Sequence, residues 1–360
     1  MATFDPLKLG SFASLNRTRL ADVAAIEPAL RGVPALELLS AGALRRAIGV
    51  EAGRLGLETE LAAGDDLLPA FDRCLASADD SVRSAAVELA VRFGTHLGYL
   101  LTSLAGGRST AGDEGEMSEA YRAHWSRVRH VVLGGGVMSG NLGRVMREVA
   151  REIVRTVVAP GFRLDVHDYA RELGLIGAAL GVKDAAATAA LVCDFGGSWV
   201  KRGYASYEDG ALVSLRLLPA LPVEPEMHAA DLLEESVRAL GEAVSRSVAA
   251  DWREGLASGL ALSDEVACTV NGYVDAEKPS DVYSAVRALG SSADWLSEAV
   301  SRQAGEHIEV RLVHDGTAAA RVLAGEQGAA AIMLGTWLGV GFAPPADTVL
   351  KLSPGFVVEG

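Results

Sequence analysis

The sequence predicts an α/β protein built as two domains, and three observations point there. The chain has 360 residues, more than one small core organises, since a domain takes roughly 100–200 residues. Before Lys183, apolar residues recur mostly at the three- and four-residue spacing of packed helices. After Lys183, short apolar runs end repeatedly at glycine, hydroxyl or carboxylate residues, and an α/β sheet presents its ligands at just such strand ends.

The elements come in this order. Ala35 to Arg46 and Ser81 to Leu104 read as amphipathic helices, and Gly106 to Gly115 has the composition of an exposed loop. His130 to Leu133 is a strand that enters Gly134-Gly135-Gly136, and helical spacing resumes over Asn141 to Val158. Ala190 to Asp194 and Trp199 to Tyr204 form a β-hairpin around Gly196-Gly197-Ser198. Strands at Ala211 to Leu218 and Glu265 to Val270 are separated by a long helix from His228 to Leu256. Trp295 to Ala304 is helical, Glu309 to Val313 is a strand ending at His314-Asp315, and Thr317 to Leu323 restarts a helix. Ala330 to Leu334 is a buried strand ending at Gly335-Thr336. No short tandem repeat interrupts this layout.

Composition excludes several classes. With 33 basic and 47 acidic residues the formal charge is -14, a balance that repels phosphate backbones and anionic lipid, so no nucleic acid is expected as a partner. The apolar stretch from Leu89 to Leu104 carries Arg92 and His96, and no stretch reaches the roughly 18 uncharged residues a membrane span needs. Met1 to Leu20 lacks a basic-then-apolar layout, so a cytoplasmic protein without membrane association is expected. Cys74, Cys193 and Cys268 lie far apart and show no zinc-ligand spacing. The chain contains no GxxxxGK[ST], HExxH or GxSxG, which removes P-loop, zincin and hydrolase-elbow chemistry. The Gly134-Gly135-Gly136 turn has Ser139 where a dinucleotide fingerprint has its third glycine.

The strand ends carry the candidate chemistry. In Asp194-Phe195-Gly196-Gly197-Ser198 the glycines let backbone approach a polyphosphate, Ser198 can donate to it, and Asp194 suits a hydrated Mg²⁺. The competing reading is a tight hairpin turn with an incidental acid. Asp315, at the end of Val310 to His314, can accept a proton from an attacking hydroxyl. An Asp before Gly316-Thr317 is also a good helix cap. Gly335 to Gly341 reads as a second phosphate turn or as a glycine-rich loop without a ligand.

Together these segments resemble the ROK (repressor, open reading frame, kinase) sugar-kinase family of the actin/hexokinase/Hsp70 superfamily. Asp194 to Ser198 looks like its D-x-G-G-T phosphate motif, Gly335 to Gly341 like its second phosphate motif, and Val131 to Val137 like its adenosine motif. Thr269 to Asp275 is similar to its sugar loop, and Trp295 to Asp315 to the helix and strand before its catalytic N-D. Thr317 to Glu326 is similar to the family's segment after the catalytic acid, and Gly174 to Ala179 resembles its closing helix. The order differs, because the adenosine-like motif comes first. Reading from about Ala187 to Gly360 and then Met1 to Ala186 restores it, as in a circular permutant; termini that lie close on a surface permit this.

The resemblance implies a two-lobed actin/hexokinase-like (ribonuclease H-like) α/β fold with an interlobe cleft. Residues 1–170 would form part of the larger lobe, 171–316 the smaller lobe, and 317–360 the return to the larger. It implies an ATP-dependent phosphotransferase acting on a sugar, amino sugar or cyclitol hydroxyl, with Asp315 as general base and Asp194 holding Mg²⁺ through water. Gly196, Gly197, Ser198, Gly335 and Thr336 would cradle phosphates, and Gly134, Gly135 and Gly136 the adenosine. Asn271, Gly272, His314 and Glu37, the last within Gly32 to Gly42, would meet the substrate; on residues alone, Glu37 reads as a solvent-facing helix position. The family's zinc cysteines and E-x-G-H motif are not evident, so no zinc is expected. His314 stands where the family has Asn, and Trp337 where it has Gly. The rival expectation is a non-catalytic sugar or nucleotide sensor of the same fold. Ala-rich helices would suit a homodimer.

Overall fold

A computed structural model describes residues 4–21, 26–107, 116–158, 161–184, 186–223, 234–272 and 293–360. It is a mixed α/β structure with two sheets. The helices are α1 (Ala35–Leu39), α2 (Ala41–Val50), α3 (Ala52–Leu55), α4 (Glu58–Ala63), α5 (Leu67–Cys74), α6 (Asp80–Ala105), α7 (Glu116–Trp125), α8 (Gly140–Val157), α9 (Leu173–Ala179), α10 (Glu234–Ala257), α11 (Ala293–Ala304) and α12 (Asp315–Ala319). The strands are β1 (His130–Gly134), β2 (Arg163–Val166), β3 (Ala189–Phe195), β4 (Trp199–Glu208), β5 (Ala211–Pro222), β6 (Glu265–Val270), β7 (Glu309–His314), β8 (Ala329–Leu334), β9 (Leu338–Phe342) and β10 (Lys351–Glu359).

The chain divides into two compact units. The first comprises Met1–Asp5, Phe12–Glu172 and Gln327–Val340, the second Pro6–Ser11, Leu173–Glu326 and Gly341–Gly360.

In the first unit, β1 pairs in parallel with both β2 and β8, within the strand order β2-β1-β8-β9. Asp79 starts the long helix α6, its Oδ1 accepting from the Ser81 and Val82 amides at 2.8 and 3.3 Å, which satisfies donors that have no partner inside the helix. Helix α6 packs on α8 through Gly94 and Gly98, four residues apart on one face. A Cβ there would meet Val149 Cβ at 2.8 Å and Ile153 Cβ at 2.9 Å, so the missing side chains set how closely the helices approach.

In the second unit the strand order is β10-β5-β4-β3-β6-β7. β3 is antiparallel to β4, β4 to β5, and β3, β6 and β7 run parallel. Side chains alternate between the faces of a strand. Leu191, Cys193 and Phe195 of β3 therefore join Val266, Cys268 and Val270 of β6 in one core with Val248 and Trp252 of α10 and Leu296 and Val300 of α11. Asp194 and Thr269 are left for the opposite face, where α9 packs on α12.

Several elements differ from expectation. Ala35 to Arg46 is two helices, because the Ser40 hydroxyl accepts from the Ala43 amide and starts α2 anew. The helix expected from Thr317 begins at Asp315 and tightens to a 3-10 turn over Ala320–Leu323. The turn expected over Gly335 to Gly341 ends at Trp337, and β9 comes next. β2 alternates polar and apolar residues over only four positions, and β10 is interrupted by Pro354-Gly355, so one is too short and the other too broken to stand out in the sequence. Residues 108–115 of the expected loop, 228–233 of the expected helix and 273–275 of the sugar-loop match lie outside the described residues. Among the described residues no helix is long and apolar enough to cross a membrane.

Candidate functional site

The parallel strands β3, β6 and β7 are in register, with Asp194 opposite Thr269 and Thr269 opposite Val313. This alignment brings Asp194, Thr269 and the His314-Asp315 strand end to one side of the second unit. Asp194 is buried, and its two oxygens have different neighbours. Oδ1 accepts from the Thr269 hydroxyl at 2.8 Å and Oδ2 accepts from Lys201 Nζ at 2.8 Å. Lys201 faces Asp194 because the two are cross-strand partners in the hairpin. Gly174 on α9 lies over the carboxylate; a Cβ there would stand 3.2 Å from Asp194 Cγ.

Asp315 comes directly after β7. Its Oδ1 accepts from its neighbour's amide, Gly316 N, at 2.6 Å and lies 3.2 Å from His314 Nε2. Oδ2 has no protein partner among the described residues. Burial, and then the charge of Asp194, push the Asp315 carboxyl up to about 7, against the smaller opposing pull of the Gly316 amide and Lys201. The capping role falls to the neighbouring residue: His314 Nδ1 accepts from the Thr317 amide at 3.4 Å. Burial pushes His314 down to about 3, so it is a neutral imidazole at physiological pH.

Asn271, one residue past β6, is 9% exposed, and among the described residues neither its Oδ1 nor its Nδ2 has a hydrogen-bond partner. A buried polar group without a partner costs on the order of 1–3 kcal/mol. Gly272 beside it is buried. At the hairpin turn the Gly196 amide bonds back to Trp199 O at 3.1 Å, so that donor closes the turn. Gly197 is buried and Ser198 half-buried beside it.

The other candidates sit in the first unit. Gly134 to Gly136 and Gly335-Thr336 are neighbours there, because β1 and β8 are paired. Gly135 has φ +92, and a Cβ would stand 2.2 Å from Leu334 O; only glycine fits this approach of two backbones. The Gly335 carbonyl accepts from the Ala41 amide at 2.7 Å. The N-terminus of α8, beyond the turn, is taken by Asp72 of α5, whose Oδ1 accepts from Leu142 N at 2.8 Å and Oδ2 from Asn141 Nδ2 at 3.3 Å. Glu37 is exposed on α1 and lines a cavity of about 560 Å³ with Glu27, Arg92 and His96.

For Mg²⁺ the donor set is chemically suitable: Asp194, Asp315 and Thr269 offer hard oxygens, and this ion takes one or two carboxylates while keeping waters and phosphate oxygens. Among the described residues no three His, Cys, Asp or Glu side chains gather into a metal site of their own, and the three cysteines are buried free thiols. Lys201, Thr269 and Asp72 were not singled out by the sequence.

Fold and site define a mixed α/β protein with two carboxylates, an ammonium and a hydroxyl gathered at the carboxyl ends of parallel strands. No family model and no curated protein matches the chain. Among solved structures, a Ppx/GppA family member from Aquifex aeolicus is similar at 15% identity and a TM-score of 0.21, covering 35% of this chain and 35% of that one. The type II variant of the Aquifex aeolicus Ppx/GppA phosphatase is similar at 14% identity and a TM-score of 0.21, covering 36% and 37%. The chain thus spans about a third of these proteins.

Proposed function

We propose that the protein is an ATP- and Mg²⁺-dependent phosphotransferase that phosphorylates a hydroxyl of a sugar, amino sugar or cyclitol, with Asp315 as general base. The observation that carries this is the grouping of Asp194, Lys201, Thr269 and Asp315 at the carboxyl ends of β3, β6 and β7 and their hairpin. The hairpin-first strand order and the three parallel strands of the second unit support a ribonuclease H-like arrangement for it, and the order of motifs along the chain supports a circular permutation. Two lobes, a cytoplasmic location and a homodimer belong to the same reading.

Asp315 holds Oδ1 toward the Gly316 amide and keeps Oδ2 for the proton of the acceptor hydroxyl. A base pushed up to about 7 by burial is matched to proton abstraction near neutral pH. His314, neutral and fixed by the Thr317 amide, lines the base without adding charge. The unpartnered Asn271 amide offers the substrate one donor pair and one acceptor. In this reading Gly196, Gly197 and Ser198 provide backbone room and a hydroxyl for phosphate oxygens, and Asp194 would hold a hydrated metal ion. Mg²⁺, when bound, supplies neutralisation of the charge on those oxygens. By the resemblance, Gly134 to Gly136 take the adenosine and Gly335-Thr336 further phosphate contacts.

The test is ADP release from MgATP with a panel of hexoses, amino sugars and cyclitols, with Asp315→Asn as control. Release that depends on one acceptor class and disappears in the variant is the expected result. Undiminished turnover in Asp315→Asn removes the assignment of the base, and nucleotide binding without turnover on any acceptor favours a sensor.

A further inference from the structure

The imidazole of His314 stands between the end of a strand and the first turn of a helix. His314 closes β7, where it pairs with Val270, and it is buried. Its Nδ1 accepts from the Thr317 amide at 3.4 Å, and the Thr317 hydroxyl is also 3.4 Å away. An imidazole that accepts at one nitrogen is neutral and keeps its proton on the other. That other nitrogen, Nε2, lies 3.2 Å from Asp315 Oδ1. We propose that His314 is the positioning residue of the base: held through Nδ1 by the first turn of α12, it donates through Nε2 to Asp315 Oδ1 and so fixes Oδ2 as the oxygen that takes the proton. This rests on the reading of Asp315 as general base and adds the group that aims it.

The carboxylate needs such an anchor. The last torsion of an aspartate is broad and roughly two-fold, so a carboxylate held by one bond presents either oxygen or turns between them. Oδ1 of Asp315 has the Gly316 amide at 2.6 Å. A second donor on the same oxygen, reaching it from the side of the ring, fixes the plane of the group and leaves Oδ2 for the substrate hydroxyl. The tie at Nδ1 matters as much, because a ring held there cannot flip and bring its unprotonated nitrogen to the carboxylate. Asp194 and Lys201 set the charge around Asp315; a neutral ring adds direction and no net charge. With Nδ1 turned to Thr317 and Nε2 to Asp315, the ring acts through the base and not on the substrate, unlike the substrate contact that the family resemblance implies for this position.

The test uses full-length His314→Phe, His314→Ser and His314→Asn beside wild type, Asp315→Asn and the double variant of His314→Phe with Asp315→Asn. Ring nitrogen NMR reads the tautomer, the His314 signal being the one missing from His314→Asn, and steady-state kinetics uses MgATP with whichever hexose, amino sugar or cyclitol supports ADP release. The expected ring is protonated on Nε2, and its proton signal moves in Asp315→Asn. His314→Phe lowers kcat about 10- to 100-fold, the scale of a misplaced reacting group, with KM for the hydroxyl substrate within about 3-fold of wild type. His314→Ser can still cap the Thr317 amide but is too short to bridge both partners, so it unfolds like wild type and turns over as slowly as His314→Phe. His314→Asn, with an acceptor and a donor on one side chain, recovers part of kcat. The double variant is no slower than Asp315→Asn, because a residue that acts through the carboxylate adds nothing once the carboxylate is gone. A ring protonated on Nδ1, a loss confined to KM, or wild-type kcat in His314→Ser overturns the inference, the last reducing His314 to a helix cap. Should His314→Phe fail to fold, the tautomer in wild type and the comparison of His314→Ser with His314→Asn still decide. Full turnover in Asp315→Asn strikes the base itself, and turnover lost there but kept in His314→Phe strikes His314 alone. With no substrate turned over, the phosphotransferase reading falls, and the tautomer with its response to Asp315→Asn decides the anchor.

Discussion

Two glycine turns in this molecule look alike in sequence and differ in charge. The Gly196-Gly197-Ser198 turn joins β3 to β4, and the strand leaving it supplies Lys201. The Gly134-Gly135-Gly136 turn leads to α8, whose N-terminus is already bound by the Asp72 carboxylate. A helix N-terminus attracts anions through its unpaired amides and dipole, but here a fixed carboxylate from α5 takes that place and would repel a phosphate. The first turn thus has a cation close by and the second a carboxylate. Glycine creates room for backbone approach in both; the neighbouring charges decide what can use it.

Four expectations test this contrast, from the largest effect to the smallest. Asp315→Asn should lower turnover by about 100-fold or more, and the kcat/KM of wild type should rise with pH with a midpoint near 7, because the base acts ionised and burial pushes its carboxyl up to about 7. An acid limb near 4 would show that Asp315 is not the base. The same burial has a stability consequence. A carboxyl raised from 3.8 to about 7 in the folded protein contributes stability below 3.8 that is lost as pH rises through about 7, about 4 kcal/mol in all. Urea unfolding at pH 4 and pH 8 should therefore show wild type losing that much relative to Asp315→Asn. His314 runs the other way, its share disappearing as pH falls from 6.5 toward about 3.

The third expectation concerns the first-unit turn. Gly135→Ala combines a positive φ with a Cβ 2.2 Å from Leu334 O and should cost about 3 kcal/mol, read by urea unfolding; a loss under about 1 kcal/mol would mean that β1 and β8 part easily. The smallest effect belongs to Asp72→Ala, which removes the bond to Leu142 N and should cost about 1 kcal/mol. An unchanged melting curve in that variant would show α8 to be capped in another way.

Much of the second unit was legible in the sequence because its strands are short apolar runs that stop at glycine or aspartate. Asp194 and Asp315 stood out for that reason. Lys201 and Thr269 did not, since a lysine in a hairpin strand and a threonine in a buried strand are ordinary residues until strand order places both against Asp194. That order sets β6, some seventy residues on in sequence, beside β3. Asp72 was hidden for the same reason, with its helix cap formed across a gap of 70 residues. Asn271 was named through a resemblance, but its lack of partners among the described residues is a property of packing that no local pattern records. His314 as cap in place of Asp315 depended on which ring nitrogen turned toward the Thr317 amide.

The most direct test of the contrast is a crystal structure with Mg²⁺ and a non-hydrolysable ATP analogue. The terminal phosphates should lie at Gly196 to Ser198 within hydrogen-bond reach of Lys201 Nζ, with Asp194 Oδ2 turned to the metal's waters. Phosphates seated at Gly134 to Gly136 against the α8 N-terminus, with Lys201 still on Asp194, would contradict the account.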